Sequence, residues 1–390
     1  MRAIKNYLLG KRFFILLFLL VKSSSIFGLN PVKPKYKVLF PIPYTGGEGD
    51  MGVRLEIAAR NIGWTAQSYF FRNEWHWKRK FDFYRISEPF KYESKNLLTI
   101  CNVVQDFQPD FIVSLFPKLY TPKSLKIPHY LALTRSHKYN IQHYGKMIRH
   151  FQGLLCVPQD HTYLYEFLQE KIDQYPMMDW VPTVLKTKYE PIEAKRLFYC
   201  GVNWDPLRTS PDYLRCVKLL DQTGLMGVYG PTDNQEFLRL DSYKGVLPYD
   251  GISLTRALQN CGISLILHSQ EHLEGGVITG RIFEAAAAGC VIISDRHEFV
   301  EKEFGDTILY LDIDKDHKLT GEKMFEQIYA HLMWIFAHPK EAEEKARKAH
   351  EIFDAKFTLE GQLERLGELH QKNFQNYFSD ITNQREIKFN

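Results

Sequence analysis

GGVITGRIFEAAAAGCVIISD, residues 275–295, reads as a glycine turn, a short helix of mostly small residues, a glycine stop and a buried strand. Arg281 and Glu284 stand three apart in the first turns of that helix, spacing that puts both on one face. A helix N-terminus offers free N–H groups and the positive end of a dipole, which together suit an anion. The four alanines at 285–288 let the helix lie close against a sheet, and Gly289 stops it. The stretch thus predicts a phosphate site beside a carboxylate able to hold a sugar hydroxyl. Read alone, Glu284 is also compatible with a helix-surface glutamate favoured by the dipole. It does not complete a capping box from Thr279, because the offset is five rather than three.

Outward from this stretch, apolar runs alternate with helical patterns. Strands are expected at 36–42, 66–71, 110–116, 129–134 and 153–157, and helices at 51–62, 97–107, 141–149 and 163–172. Residues 72–95, charged and aromatic, read as irregular. Pro, Lys and Glu interrupt the pattern at 182–193, the best domain boundary. It then restarts with strands at 197–200, 226–229, 263–268, 291–294 and 307–311 and helices at 212–222, 253–260 and 280–288, followed by helices at 322–337, 340–355 and 359–374. Short apolar runs between helices indicate parallel sheets with crossover helices. The expected fold class is α/β, with two Rossmann-like doubly wound domains facing a cleft and C-terminal helices. The expected domains are a signal-like or anchor segment at 1–30, a first Rossmann-like acceptor domain at 31–187, a second nucleotide-sugar-binding one at 188–358, and a C-terminal helix and tail at 359–390. Ligands of such sheets sit at the carboxyl ends of the strands, so the cleft between the domains is the expected site.

Several further motifs carry two readings each. Gly47-Glu48-Gly49-Asp50-Met51-Gly52 matches the GxGxxG pattern of dinucleotide sites, with Glu74 near the distance of the usual acidic partner. However, residues 43–46 separate it from the strand, and Glu48 and Asp50 would repel a pyrophosphate. A flexible glycine loop, or a loop with Gly46 and Gly47 lining the cleft where a backbone can approach a ligand, are the other readings. In YCGVNWDPLR (199–208) a strand ends at a glycine and Arg208 follows seven residues later. Its planar fork could clamp a diphosphate, or it could be a surface arginine paired with Asp205 or Asp212. His268, Glu271, His272 and Glu274 invite a metal reading, but they lack a helical i, i+4 ligand geometry, and a loop of solvated charges accounts for them.

Together, FYCGVNWDPLR, VYGP, GVLPYDG, GRIFEAAAAGCVIISD and FGDTILYLD resemble the donor-binding domain of GT-B glycosyltransferases, specifically the group with a CgeB-like C-terminal domain. The match spans residues 197–312; the first domain agrees in outline. The resemblance implies a hexosyltransferase-like enzyme moving a sugar from a nucleotide diphosphate sugar to a glycan, lipid or protein acceptor. It assigns the ribose to Glu284 and the diphosphate to Arg208, Thr279, Gly280 and Arg281. Many retaining members carry a second glutamate eight positions before the ribose one, where this chain has Gly276. Glycosyl transfer releases a diphosphate anion, and positive charge is needed where it develops. The arginines and the helix terminus supply it, so a metal-independent reaction without cofactor is expected. Asp312-Ile313-Asp314 has the spacing of a metal motif but follows the last strand. His137, after a first-domain strand and titratable near neutrality, is the candidate general base, with a plain loop histidine as the other reading. The alternatives are an inactive GT-B-like nucleotide-binding or scaffold protein, motivated by Gly276, and a dinucleotide-dependent oxidoreductase built on Gly47–Gly52.

Composition bounds these readings. The chain has 390 residues, enough for two domains of about 150–200. Lys and Arg number 50 against 46 Asp and Glu, a net charge of +4 with no basic stripe, which argues against nucleic acid as a partner. The six cysteines lack ligand spacing and mostly lie in apolar runs, as buried free thiols do, which favours a reducing compartment. The first residues pull the other way: Arg2, Lys5, Lys11 and Arg12 precede an apolar run at 13–21 and small residues as far as Gly28. That pattern resembles a signal peptide, or an anchor giving membrane association through the N-terminus.

Overall fold

The computed structural model describes residues 36–43, 46–71, 97–117, 126–169, 175–201, 205–230, 235–313 and 319–386. The signal-like segment, Glu74 and the rest of 72–95, Val202, Asn203, Trp204, Pro231, Asp314 and the side chain of Cys101 lie outside the described residues.

The first lobe is a parallel sheet of β1 (Lys37–Pro43), β2 (Thr65–Phe71), β3 (Phe111–Ser114), β4 (His129–Leu133), β5 (Gly153–Cys156) and β6 (Met177–Asp179), in the order β2-β1-β3-β4-β5-β6. Its central strands β3, β4 and β5 are buried on both faces, as crossover helices require. Val38, Phe40, Ile42, Phe111, Val113 and Tyr130 share one core with α1 (Gly46–Asn61). On the opposite face Leu39 and Ile112 pack towards α2 (Leu97–Phe107). Leu131, Leu133, Leu154 and Cys156 pack with α3 (His137–Ile148) and α4 (Thr162–Leu168).

The second sheet comprises β7 (Arg196–Cys200), β8 (Met226–Tyr229), β9 (Tyr243–Gly245), β10 (Gly262–Ile266), β11 (Val291–Ser294) and β12 (Leu309–Tyr310), in the order β12-β11-β10-β7-β8-β9. The strand order reverses between β7 and β10, which therefore mark the topological switch point where doubly wound sheets take their ligands. Between and after these strands lie α5 (Pro211–Gln222), α6 (Gln235–Leu238), α7 (Ser253–Cys261), α8 (Gln270–Gly275), α9 (Arg281–Ala288), α10 (Glu298–Phe304), α11 (Gly321–Ala337), α12 (Pro339–Lys356) and α13 (Leu359–Glu386). Phe198, Ile266 and Ile292 face a core with α7, α9 and α12, while Leu197, Val228, Leu265 and Ile293 face α5 and α11.

The chain then returns to the first lobe. Leu359, Leu363 and Leu366 of α13, at i, i+4 and i+7, complete the core beside α1. Polar bonds fix the return: Tyr36 Oη donates to the Gly367 carbonyl at 3.1 Å, and the Gln362 side chain bonds both backbone groups of Val181 at 2.8 and 3.1 Å.

The structure revises some sequence expectations. The glycine-rich segment is not a loop: α1 begins at Gly46 rather than Met51, so GxGxxG forms helical turns. Close packing explains the glycine, since a Cβ on Gly52 would lie 1.7 Å from Ile42 Cδ1 of β1. The edge strands β6 and β9, three residues each, carry no apolar run that marks them. The charged stretch after His268 forms α8, whose first turn is capped by Ser269 Oγ accepting from His272 N–H. His297 caps α10 in the same way. Cys156, Cys216, Cys261 and Cys290 are buried free thiols and Cys200 is a half-buried one. Among the described residues no helix is long and apolar enough to cross a membrane.

Candidate active site at the sheet switch point

Every residue of α9 from Ile282 to Ala288 is buried, Glu284 at only 5% exposure. A carboxylate in such a helix requires charged partners, and two arginines provide them. Arg281, one turn back, bonds Oε2. Arg54 Nη1, from α1 of the other lobe, bonds Oε1 at 2.8 Å. Burial alone would raise the Glu284 carboxyl, but Arg281 and Arg54 outweigh it and hold it below the ordinary carboxylate range. Burial likewise opposes the Arg281 charge, and Glu284 more than compensates.

The pairing extends through α1. Arg54 Nη2 lies 2.5 Å from Asp50 Oδ2, an i, i+4 pair, and Asp50 Oδ1 accepts from the Gly251 N–H at 2.7 Å. Burial raises the Asp50 carboxyl, with Arg54 the strongest opposing influence. Asp50, which the sequence suggested would repel a phosphate, is thus committed to joining the lobes. Two further contacts bring the lobes together: Arg135 with Glu271 at 3.5 Å, and Ser136, whose Cβ lies 2.8 Å from where a Cβ on Gly275 would stand.

Arg208 comes from the loop after β7. Its guanidinium pairs with neither Asp205 nor Asp212. It donates from Nη2 to the Leu267 carbonyl at 2.9 Å, just beyond β10, and so bridges the two strands of the switch point. Asp205 instead organises the loop, accepting from the backbone N–H of Leu207, Arg208 and Gln270. Arg281 completes the floor, with Nη2 3.6 Å from Cys200 Sγ at the end of β7. Thr279 is buried with Oγ1 3.5 Å from the Arg281 N–H, and Gly280 is the α9 N-cap. A Cβ on Gly280 would meet the Pro182 carbonyl at 2.9 Å, so the linker packs directly on the helix start. Gly46 and Gly47 open α1 just past the end of β1.

Three residues that sequence spacing did not connect stand at the same edge. His268, after β10, is buried and held by Asp295, after β11: Asp295 Oδ1 accepts from Nδ1 at 2.6 Å and Oδ2 from the His268 N–H at 2.9 Å. His297 stacks on the His268 ring with centroids 4.6 Å apart. Burial, then the neighbouring His268, lowers the His297 pKa to about 4. The parallel register that sets Ile266 against Ser294 brings His268 and Asp295 together, a pairing that no local sequence pattern encodes. Arg54 was missed because its role depends on the other lobe.

His137 directly follows Arg135 and Ser136, the residues that touch α8. It opens α3, capped by Ser136, but its ring is buried in its own lobe, where Nε2 bonds His161 Nδ1 at 2.6 Å. Burial, then His161, lowers its pKa to about 4. Among the described residues no group of three or more His, Cys, Asp or Glu side chains could hold a metal ion.

Residues 215–368 match a protein family described as glycosyl transferase-like. No curated protein matches the chain. Among solved structures, it is similar to a glycosyltransferase from Rickettsia africae ESF-5, at 10% identity and TM-score 0.52 over 87% of this chain and 99% of that one. It is also similar to sucrose-phosphate synthase from Thermosynechococcus elongatus, at 11% identity and TM-score 0.53 over 87% and 99%. A third is WaaG, a glycosyltransferase involved in lipopolysaccharide biosynthesis, at 11% identity and TM-score 0.52 over 85% and 99%. The two six-stranded parallel sheets are the GT-B fold of these proteins, as the sequence resemblance implied.

Proposed function

We propose that the protein is a glycosyltransferase that binds a nucleotide diphosphate sugar in the crevice at the β7–β10 switch point and transfers the sugar to an acceptor. The observation that carries this reading is the joint placement of Glu284, Arg281 and Arg208 there. In the bound state Glu284 takes the ribose hydroxyls, while Arg281, Arg208 and the start of α9 with Thr279 and Gly280 face the diphosphate. As the bond to the sugar breaks, negative charge grows on the diphosphate, and fixed guanidinium groups stabilise it without reorganisation. We infer from this charge supply that no metal cofactor is needed. The CgeB-like assignment rests on the sequence segments between 197 and 312, and acceptor recognition by the first lobe on its position across the crevice.

His137 is the candidate base. Its lowered pKa leaves it unprotonated at neutral pH, as a base must be, but makes it a weak one. The His161 ring behind it, 3.5 Å from Asp179 at Nε2, is a route for a proton out of the site. One observation supports the rival reading of a non-catalytic nucleotide-binding protein: Gly276, at the position of the second glutamate, has φ 61° as the C-cap of α8. A side chain there is strained, so the local backbone itself disfavours that carboxylate.

Calorimetric titration of UDP and GDP into the protein, Glu284→Ala and Arg208→Ala tests the assignment. Each substitution is expected to weaken nucleotide binding at least tenfold, the cost of one lost charge-assisted hydrogen bond. Unchanged affinity in both variants rules it out.

A further inference from the structure

The switch-point side chains form a track. Glu284 is bonded to Arg281, Arg281 and Arg208 stand within electrostatic reach of each other, and Arg208 is bonded to the carbonyl of Leu267, the residue before His268. On the functional reading above, ribose and diphosphate occupy the first part of this track. The transferred sugar then falls at its far end, beside His268. His268 is 2% exposed, and its Nε2 has no hydrogen-bond partner among the described residues. With Nδ1 bonded to Asp295, Nε2 is the ring nitrogen left for a ligand. The second bond from Asp295, to the His268 backbone N–H, fixes the ring orientation. A buried acceptor without a partner is costly in a folded protein.

We propose that the His268–Asp295 dyad is a subsite for the transferred sugar, with His268 Nε2 accepting a hydrogen bond from a sugar hydroxyl in place of the carboxylate that Gly276 lacks. A glutamate at 276 would bring a carboxylate to the hydroxyls directly, whereas here the Asp295 carboxylate acts through the imidazole ring that it orients. Gly276 ends α8, the short helix that carries His272 over the edge of the His268 ring at 6.1 Å between centroids. The first lobe touches α8 through Arg135–Glu271 and Ser136–Gly275. On this proposal a sugar reaches the dyad only when those contacts relax. The inference deepens the functional reading above and depends on it.

The test compares each nucleoside diphosphate with its own nucleotide sugar by calorimetry: UDP with UDP-glucose and UDP-N-acetylglucosamine, and GDP with GDP-mannose. The wild-type protein identifies the pair that binds. His268→Gln is then expected to keep diphosphate affinity within about twofold while nucleotide-sugar affinity falls roughly tenfold, the cost of one hydrogen bond left unmade. Asp295→Asn, which keeps the shape of the dyad but removes its charge, moves the ratio in the same direction by less, and serves if His268→Gln does not fold. Equal losses for diphosphate and nucleotide sugar make the dyad a structural support and overturn the proposal, as does an unchanged ratio in both folded variants. A wild-type protein that binds neither ligand fails at the earlier step and removes the functional reading together with this one.

Discussion

Arg54→Met separates the two roles that the structure gives Arg54. The side chain lies buried between the lobes, 2.8 Å from Glu284 and 2.5 Å from Asp50. Breaking a buried ion pair by removing one partner costs about 3–5 kcal/mol when it strands a charge. Here neither acid is fully stranded, because Glu284 keeps Arg281 and Asp50 keeps the Gly251 N–H. The expected loss is therefore about 3 kcal/mol, at the low end. Nucleotide affinity should move the other way. Ribose cannot reach a 5%-exposed carboxylate until Arg54 releases it, so the ion pair competes with ligand. A latch worth about 2 kcal/mol weakens apparent affinity roughly 30-fold, and its removal restores that factor. Urea unfolding measures the first quantity and calorimetry with a nucleoside diphosphate the second. Asp50 adds a pH signature. Burial already raises its folded pKa above 3.8, and loss of Arg54 raises it further. A raised carboxylate binds protons in the folded state that the unfolded state has released, so stability falls as pH rises through that window. The deficit of the variant should thus be smaller at pH 5 than at pH 8. A variant whose nucleotide affinity drops along with its stability refutes the latch and makes Arg54 a ligand contact.

Other expectations follow from the same geometry. His129, His137 and His370 have folded pKa values near 3, 4 and 4 because of burial, against 6.5 unfolded, so the unfolded chain binds their protons first. Stability is complete above about pH 6.5 and falls by about 1 kcal/mol per histidine for each pH unit below it, measurable by urea unfolding between pH 7 and 5.5. Leu363→Ala, in the helix that returns to the first lobe, should cost about 2–5 kcal/mol despite lying near the C-terminus, whereas a detached helix would give almost no change on denaturation. Gly276→Glu should destabilise the protein by about 1–2 kcal/mol through its left-handed backbone, read as a lower melting temperature, and an unchanged melting temperature would contradict the strain. If Arg208 and Arg281 neutralise the leaving diphosphate, sugar transfer should persist in excess EDTA while falling in Arg281→Ala; abolition by chelation would show that the arginines do not suffice.

Much of the second lobe was legible because its central strands are apolar runs buried on both faces and its helices lie between glycine or proline stops. The stretch 275–295 unfolds into the expected helix and strand, Arg281–Ala288 and Val291–Ser294. What was hidden depends on distance in sequence. Arg54 meets Glu284 across 230 positions, and His268 meets Asp295 only once β10 and β11 take their register. No local pattern encodes either contact. The glycine-rich segment misled because glycine's usual meaning is a turn, while Gly52 is there to let a helix approach β1. His137 follows a strand as a catalytic loop residue would, but its partner His161, 24 residues away, was not legible from spacing.

The central claim is that the switch-point crevice binds a nucleotide diphosphate sugar through Glu284 and Arg208. The direct measurement is calorimetry of UDP and GDP binding to the wild-type protein, Glu284→Ala and Arg208→Ala at one pH and salt concentration. The account predicts saturable binding of one nucleotide that weakens at least tenfold in each folded variant. Binding of equal strength in all three proteins would place the nucleotide elsewhere and contradict it.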